Sequence, residues 1–285
     1  MVRVPFLDNR GFTLVEALVA TVLSTVVVML VTSVFLTQNR FYSDAVKRTG
    51  LHESVRGATA LLSSDLHGVS EGGIVVADQD AISFRSPLLM GGVCGVDGQK
   101  TYLFFPMDEN SLDPPTVSGF AIKDQKSDWR YTATRWNSIY HSNGGVSAQA
   151  CAQAGADTTG ASTGFYRLDG LDPSGTIKVG DLVMLYQEVE VRLSSSKLYP
   201  GRRGLFRGPV GGVLTEVATG ISGESGFEYG LTNQKGLQNR VNGKGNLRRI
   251  DRVRLFLEGI APASSADRDS LTFDLSLTVP LRNAN

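Results

Sequence analysis

The chain has 285 residues, with 28 Lys and Arg balanced by 28 Asp and Glu, and charged residues make up 20% of it. That balance excludes a wholesale nucleic-acid binder and an acidic disordered tail, and the length is ample for a packed core. Two cysteines cannot by themselves supply a four-ligand zinc site but can form one bridge, while 32 glycines point to many turns.

From Phe12 to Leu36 the only charge is Glu16, and the other polar residues are small Thr and Ser. At ~1.5 Å per residue this run spans roughly 37 Å, enough to cross a ~30 Å hydrocarbon core with some tilt. No later run repeats it, so the expectation is a single pass with a soluble remainder. The short tail before it holds Arg3 and Arg10 against Asp8, which slightly favours a cytoplasmic N-terminus and an exported head in an oxidising compartment. A secretory signal peptide is the competing reading, but its apolar region is usually shorter and ends at a small-residue cleavage site. Here the chain continues helically instead. Leu51, Val55, Ala58, Leu62 and Leu66 recur at spacings of three and four, an amphipathic stripe. One helix is expected from about Phe12 to His67. Residues 12–36 form its membrane half and 37–70 its amphipathic half, softened at Gly50 and Gly57.

A charge within hydrocarbon costs about 2.5 to 3.5 kcal/mol on insertion scales. Glu16 therefore needs headgroups within reach or a cation at its own depth, and the helix supplies no cation. A cut between Gly11 and Phe12 would create one, because the Phe12 amine would lie within a helical turn of a Glu16 side chain, its own or a neighbour's. The sequence Arg10-Gly11-Phe12-Thr13-Leu14-Val15-Glu16 resembles the processing signal of type IV prepilins and type II secretion pseudopilins. The resemblance implies a leader of residues 1–11, cleavage after Gly11 by a membrane prepilin peptidase and N-methylation of Phe12. It also implies that Glu16 sets register against the N-terminus of an adjacent subunit. The implied partners are other pilins or pseudopilins, the peptidase and N-methyltransferase, and an inner-membrane assembly platform. No cofactor is implied.

Residues 71–285 read as a β-rich head. Strands are expected at 74–77, 81–84, 101–105, 119–122, 129–134, 176–192 with a break near Gly180, 197–199, 212–217, 227–229, 250–257 and 271–279. Val253, Leu255 and Leu257 alternate with Arg252, Arg254 and Phe256, and the last strand alternates from Leu271 to Val279. Period two with one apolar face means a half-buried antiparallel sheet. The stripe from Leu51 to Leu66 can cover it, giving an α+β, pilin-like head with a long helix packed on an antiparallel sheet. A Gly/Ala/Ser-rich stretch at about 90–163 reads as an insertion carrying Cys94 and Cys151. A bond between them would constrain the unfolded chain by roughly 4 kcal/mol. The order of apolar runs, from Leu182-Val183-Met184-Leu185-Tyr186 to Pro280-Leu281-Arg282-Asn283, is similar to PilW-like minor pilins and J-type pseudopilins.

No catalytic constellation or metal site is expected. Gly160-Ala161-Ser162-Thr163-Gly164 spells G-x-S-x-G without the strand and helix a nucleophile elbow needs. His52 and His67 are too far apart on the helix for a metal pair. Asp78, Asp80, Asp108, Glu109 and Asp113 read as solvated loop acids. Seven basic residues between Lys235 and Arg254 face the single acid Asp251, a local charge of +6. Arg248 and Arg249 are the candidates for a polyanion contact, with an exposed loop and outward strand face as the alternative. The function this implies is a structural subunit: a minor pilin of a type IV pilus, initiating, at the tip or of low abundance. The alternatives are a J-type pseudopilin of a secretion system and a DNA-uptake or adhesive tip pilin.

Overall fold

A computed structural model describes residues 13–97, 100–105, 117–123, 129–133, 139–141, 146–153, 164–169, 177–261 and 271–281. Helix α1 (Leu14–His67) leads into β1 (Ile74–Ala77), β2 (Ala81–Asp97), β3 (Lys100–Phe105), β4 (Gly119–Lys123), β5 (Trp129–Ala133) and β6 (Ile139–His141). Next come α2 (Val146–Gln153), β7 (Gly164–Asp169), β8 (Leu182–Ser195), β9 (Arg203–Pro209), β10 (Thr215–Ile221) and β11 (Gly226–Leu231). The last elements are β12 (Leu237–Gln238), α3 (Lys244–Leu247), β13 (Ile250–Ala261) and β14 (Leu271–Pro280). Two compact units divide the chain: Met1–Gly50 with Ala261–Leu271, and Leu51–Ile260 with Thr272–Asn285.

In the first unit, α1 presents its apolar side chains to the outside, Leu14 at 82% and Leu36 at 50% exposure. An 18-residue window of α1 reaches a mean hydropathy of 2.5 with nothing covering it. The helix is long and apolar enough to cross a membrane. Five of its hydroxyl groups turn back on the helix: Thr21 donates to the Leu18 carbonyl (2.8 Å), Thr25 to Thr21 (2.7 Å), Thr32 to Val28 (2.8 Å), Ser33 to Leu30 (2.8 Å) and Thr37 to Ser33 (2.9 Å). Such bonds hide polar groups that hydrocarbon cannot solvate. Gly50 and Gly57 lie inside α1 without interrupting it.

In the second unit the stripe on α1 is the buried face. Leu51, Val55, Ala58, Leu62 and Leu66 are between 0% and 7% exposed. Ser54 Oγ accepts from the Thr219 amide of β10 (3.2 Å), and Asp65 takes two bonds from Arg207 of β9 (2.6 and 3.0 Å). The His52 ring lies 3.7 Å from that of Phe273 on β14. Where Leu51 meets β13 the sheet has Gly259; a β-carbon there would stand 2.8 Å from Leu51 Cδ1, so the helix can come this close only to a bare backbone.

The strands form one 14-stranded sheet centred on β2 and β8, which pair antiparallel from Ala81 with Arg192 to Gly92 with Leu182. Around the N-terminal half of β2 the neighbours are β1 and β9; around its C-terminal half they are β3 and β4. The register shifts between Pro87 and Leu89, consistent with a proline that has no amide to give the ladder. In β8, residues 189–193 alternate, with Val189, Val191 and Leu193 buried, whereas Val183 through Tyr186 are buried on both faces. One face of that doubly covered end joins Leu103, Phe105, Phe120 and Ile122; the other joins Ala121 and Trp129. Alternation also holds in β13, where Val253, Leu255 and Leu257 are buried, and in β14, where Thr272, Asp274, Ser276 and Thr278 are exposed.

The architecture is α+β, with a long helix on an antiparallel sheet, and four details depart from the sequence expectation. Residues 197–199 form a turn rather than a strand: Ser196 Oγ accepts from the amides of Leu198 (3.2 Å) and Tyr199 (3.0 Å), closing the β8–β9 hairpin. Residues 177–181 precede β8 without joining it, and β10 starts at Thr215 rather than Gly212. The strands β6, β7, β9 and β12 and the helices α2 and α3 were not anticipated. The stretch at about 90–163 carries the end of β2 and β3 to β6, among them the strands expected at 101–105, 119–122 and 129–134.

Leu62→Ala should cost about 2 to 5 kcal/mol, because it opens a void between α1 and the sheet. Chemical denaturation of the full chain in detergent micelles measures this; an unchanged midpoint would mean that the stripe does not hold the head together.

Candidate functional site

Thr13 stands immediately before α1 and Glu16 lies in its first turn. The Thr13 amide and hydroxyl both donate to Glu16 Oε2, at 3.1 and 2.9 Å, and Thr13 Oγ1 accepts from the Glu16 amide at 3.3 Å. The Ala17 amide then donates to the Thr13 carbonyl at 3.2 Å, the first regular helical bond. This is a capping box, Thr-x-x-Glu, in which threonine and glutamate satisfy each other's end of the chain. A negative group in the first turn also faces the positive end of the helix dipole. Thr13 is the residue that reading Glu16 for its charge alone overlooked; the Thr13-to-Glu16 spacing carried the signal. The box supplies donors to the carboxylate and no counter-ion. Gly11 and Phe12 lie outside the described residues.

A family model described as the prokaryotic N-terminal methylation motif matches residues 7–32. Residues 7–32 are type IV prepilin-like. The match takes in Gly11, Phe12 and Glu16 together with most of the uncovered apolar run, so this membrane-anchored, pilin-like chain places its one intramembrane charge within the methylation motif. No curated protein and no solved structure matches the chain.

The remaining candidates of this pilin-like protein lie in the head. Cys94 on β2 and Cys151 on α2 form a disulfide with Cα atoms 4.5 Å apart, packed with Tyr102 and Phe104. It ties α2 to β2. The basic segment does not form one surface. Arg240 pairs with Asp78 (2.6 Å), Arg252 with Asp251 (3.1 Å) and Arg254 with Glu228 (3.3 Å), while Arg249 donates to the Thr232 carbonyl (3.2 Å). Asp80 pairs with Arg203 (2.6 Å), so both it and Asp78 are committed to arginines. Asp108, Glu109 and Asp113 lie outside the described residues, as does the G-x-S-x-G stretch up to Thr163; Gly164 opens β7. Arg248 does not stay with Arg249; it lines a cavity with Arg85 and Tyr131.

Tyr131 sits under the Arg85 guanidinium, 4.5 Å from ring centroid to Cζ. Its hydroxyl is buried without a satisfactory hydrogen bond, although the Ser70 side chain lies near it. Burial pushes the phenol up from 10 to about 12, opposed by the Arg85 charge.

Thr13→Ala should speed hydrogen exchange at the first-turn amides roughly fivefold through loss of the cap, and Thr13→Ser should restore the wild-type rate. Equal exchange in all three proteins would rule out the box as a determinant of the helix start. Tyr131→Phe should leave stability at pH 7 unchanged or raise it by up to about 1 kcal/mol, since the hydroxyl has no bond to lose. Between pH 10 and about 12 the unfolded chain releases the Tyr131 proton before the folded one does, so wild-type stability falls as pH rises. Denaturation midpoints across that range should fall less steeply for the variant.

Proposed function

We propose that the protein is a minor pilin of a type IV pilus, incorporated as an initiating, tip or low-abundance subunit. Before assembly it sits in the inner membrane with its N-terminus in the cytoplasm and its head outside. The peptidase cuts after Gly11, and the new Phe12 amine is methylated. What carries this reading is the coincidence of the methylation motif at residues 7–32 with the uncovered apolar N-terminal run of α1, in which Glu16 is the one charge up to Leu36. The size of the head supports a rare position, because a domain of more than 200 residues is hard to repeat along a crowded shaft.

Assembly then follows from solvation. The apolar half of α1 exchanges lipid for neighbouring helices, which costs little because both surroundings are apolar and the hydroxyl groups are already bonded internally. Glu16 gains most. In lipid the partner of its carboxylate among the described residues is Thr13; in the filament it meets the Phe12 amine of an adjacent subunit, and the two charges offset each other's desolvation.

Intact mass of the membrane-extracted protein should show loss of residues 1–11 and gain of one methyl group. A mature chain that begins at Met1, or beyond Leu36, would overturn the reading. In sheared filaments Glu16→Ala should be recovered at roughly a tenth of wild-type abundance or less, the loss expected when one partner of a desolvated ion pair is removed. Incorporation equal to wild type would remove the pairing mechanism while leaving processing intact.

A further inference from the structure

Between β1, β2, β5 and α3 lies an open cavity of about 250 Å³. Its charged lining is Arg85, Lys244 and Arg248, and the Tyr131 ring forms an apolar wall. Arg85 is already engaged: Nε bonds Glu188 Oε1 (3.1 Å) and Nη1 donates to the Gly72 carbonyl (3.2 Å). Lys244 and Arg248 are exposed, four residues apart, and neither side chain has an ion-pair partner among the described residues. Gly72 lines the cavity with φ at 71°, a backbone conformation that favours glycine, and a β-carbon there would stand in van der Waals contact, 3.6 Å, with both Arg248 Cγ and Tyr131 Cε2.

Among the described residues, the carboxylates tied to these groups are Glu188, paired with Arg85, and Glu71, whose charge reaches Tyr131. Among those residues, three cations less two carboxylates leave a net charge of +1. Two like charges that converge without a counter-ion repel, and an anion placed between them removes the penalty. The net charge matches a monoanion better than a dianion. A guanidinium fork fits the two coplanar oxygens of a carboxylate, and the Tyr131 ring can cover a methylene stem. The volume admits one side chain and excludes a duplex or an extended polymer.

We propose that this cavity binds a carboxylate on a stem the size of one acidic side chain, presented by a neighbouring protein subunit. That the source is a subunit rests on the assembly reading above; binding of the carboxylate does not.

The test uses the full chain in detergent micelles, labelled at arginine Nε, titrated with acetyl-Gly-Glu-Gly-amide, acetyl-Gly-Gln-Gly-amide and inorganic phosphate. The glutamate peptide should shift the Arg248 and Arg85 signals saturably, with the glutamine peptide at least tenfold weaker. Followed at Arg85, which lines the same cavity and is present in every variant, the doubly substituted K244E, R248E protein should bind the glutamate peptide at least tenfold more weakly. Both positions are exposed, so the reversal leaves the fold intact, and R248Q alone should give an intermediate loss. Equal binding of the two peptides, an unaltered titration in the reversed protein, or saturable binding of phosphate without the glutamate peptide would each overturn the proposal. None of these readouts depends on filament formation, so failure of the Glu16 mechanism and failure of this site are separately visible.

Discussion

A carboxylate inside an apolar helix has to be answered by hydrogen bonds and by a counter-charge, and α1 provides only the first. Thr13 gives Oε2 of Glu16 two donors from within the same turn, while five hydroxyl groups further along bond their own backbone. The membrane half of α1 is therefore nearly finished as a polar object, with the uncompensated charge at Glu16 left over. Helix-on-helix packing in lipid gains little from apolar burial, so an ion pair at one fixed depth would dominate both the strength and the register of association. A strong, point-like interaction on an otherwise uniform surface specifies where neighbours stop sliding.

Beyond Gly50 the same helix obeys a different rule. There its apolar residues narrow to one stripe, and water rather than lipid makes the stripe costly to expose. The sheet covers it, and the contacts that fix the docking are of different kinds: the bare backbone at Gly259, the Asp65–Arg207 pair and the Ser54 cap on a β10 amide. The other end of the sheet is too far along β2 and β8 to use the helix. It buries both faces instead, one among Leu103 and Phe105 of β3 with Phe120 and Ile122 of β4, the other among Ala121 of β4 and Trp129 of β5, and the disulfide ties α2 to that end.

Legibility in the sequence followed the range of the forces involved. Periods of 3.6 and 2 are local, so the stripe on α1 and the alternation in β13 and β14 could be read directly, as could β1, whose bounds match the expectation. Local turn chemistry competes with pattern over short runs: Leu198 and Tyr199 look strand-forming, yet the Ser196 hydroxyl captures their amides and closes a hairpin. Strands β6 and β7 are hard to read because small polar residues surround them and their pairing partners, β7 for β6 and β3 for β7, are distant in sequence. At the helix start the charge of Glu16 was legible while its cap was not sought, although the threonine three residues earlier announces it.

Charge shows the same division more sharply. Along the chain, the segment from Lys235 to Arg254 is a block of +6 with Asp251 included; in space, Asp251 pairs with Arg252, and Asp78 and Glu228 from outside the segment pair with Arg240 and Arg254. A strand face sends alternate side chains to opposite sides, and each meets whatever acids the neighbouring strands present, so a linear charge count overstates any surface made from it. What survives is selective. Lys244 and Arg248 escape pairing because the short α3 lifts them off the ladder and over the cavity beside Arg85. A seven-residue stripe would have attracted any polyanion, whereas two free cations at a defined opening can distinguish a single acidic group by its size.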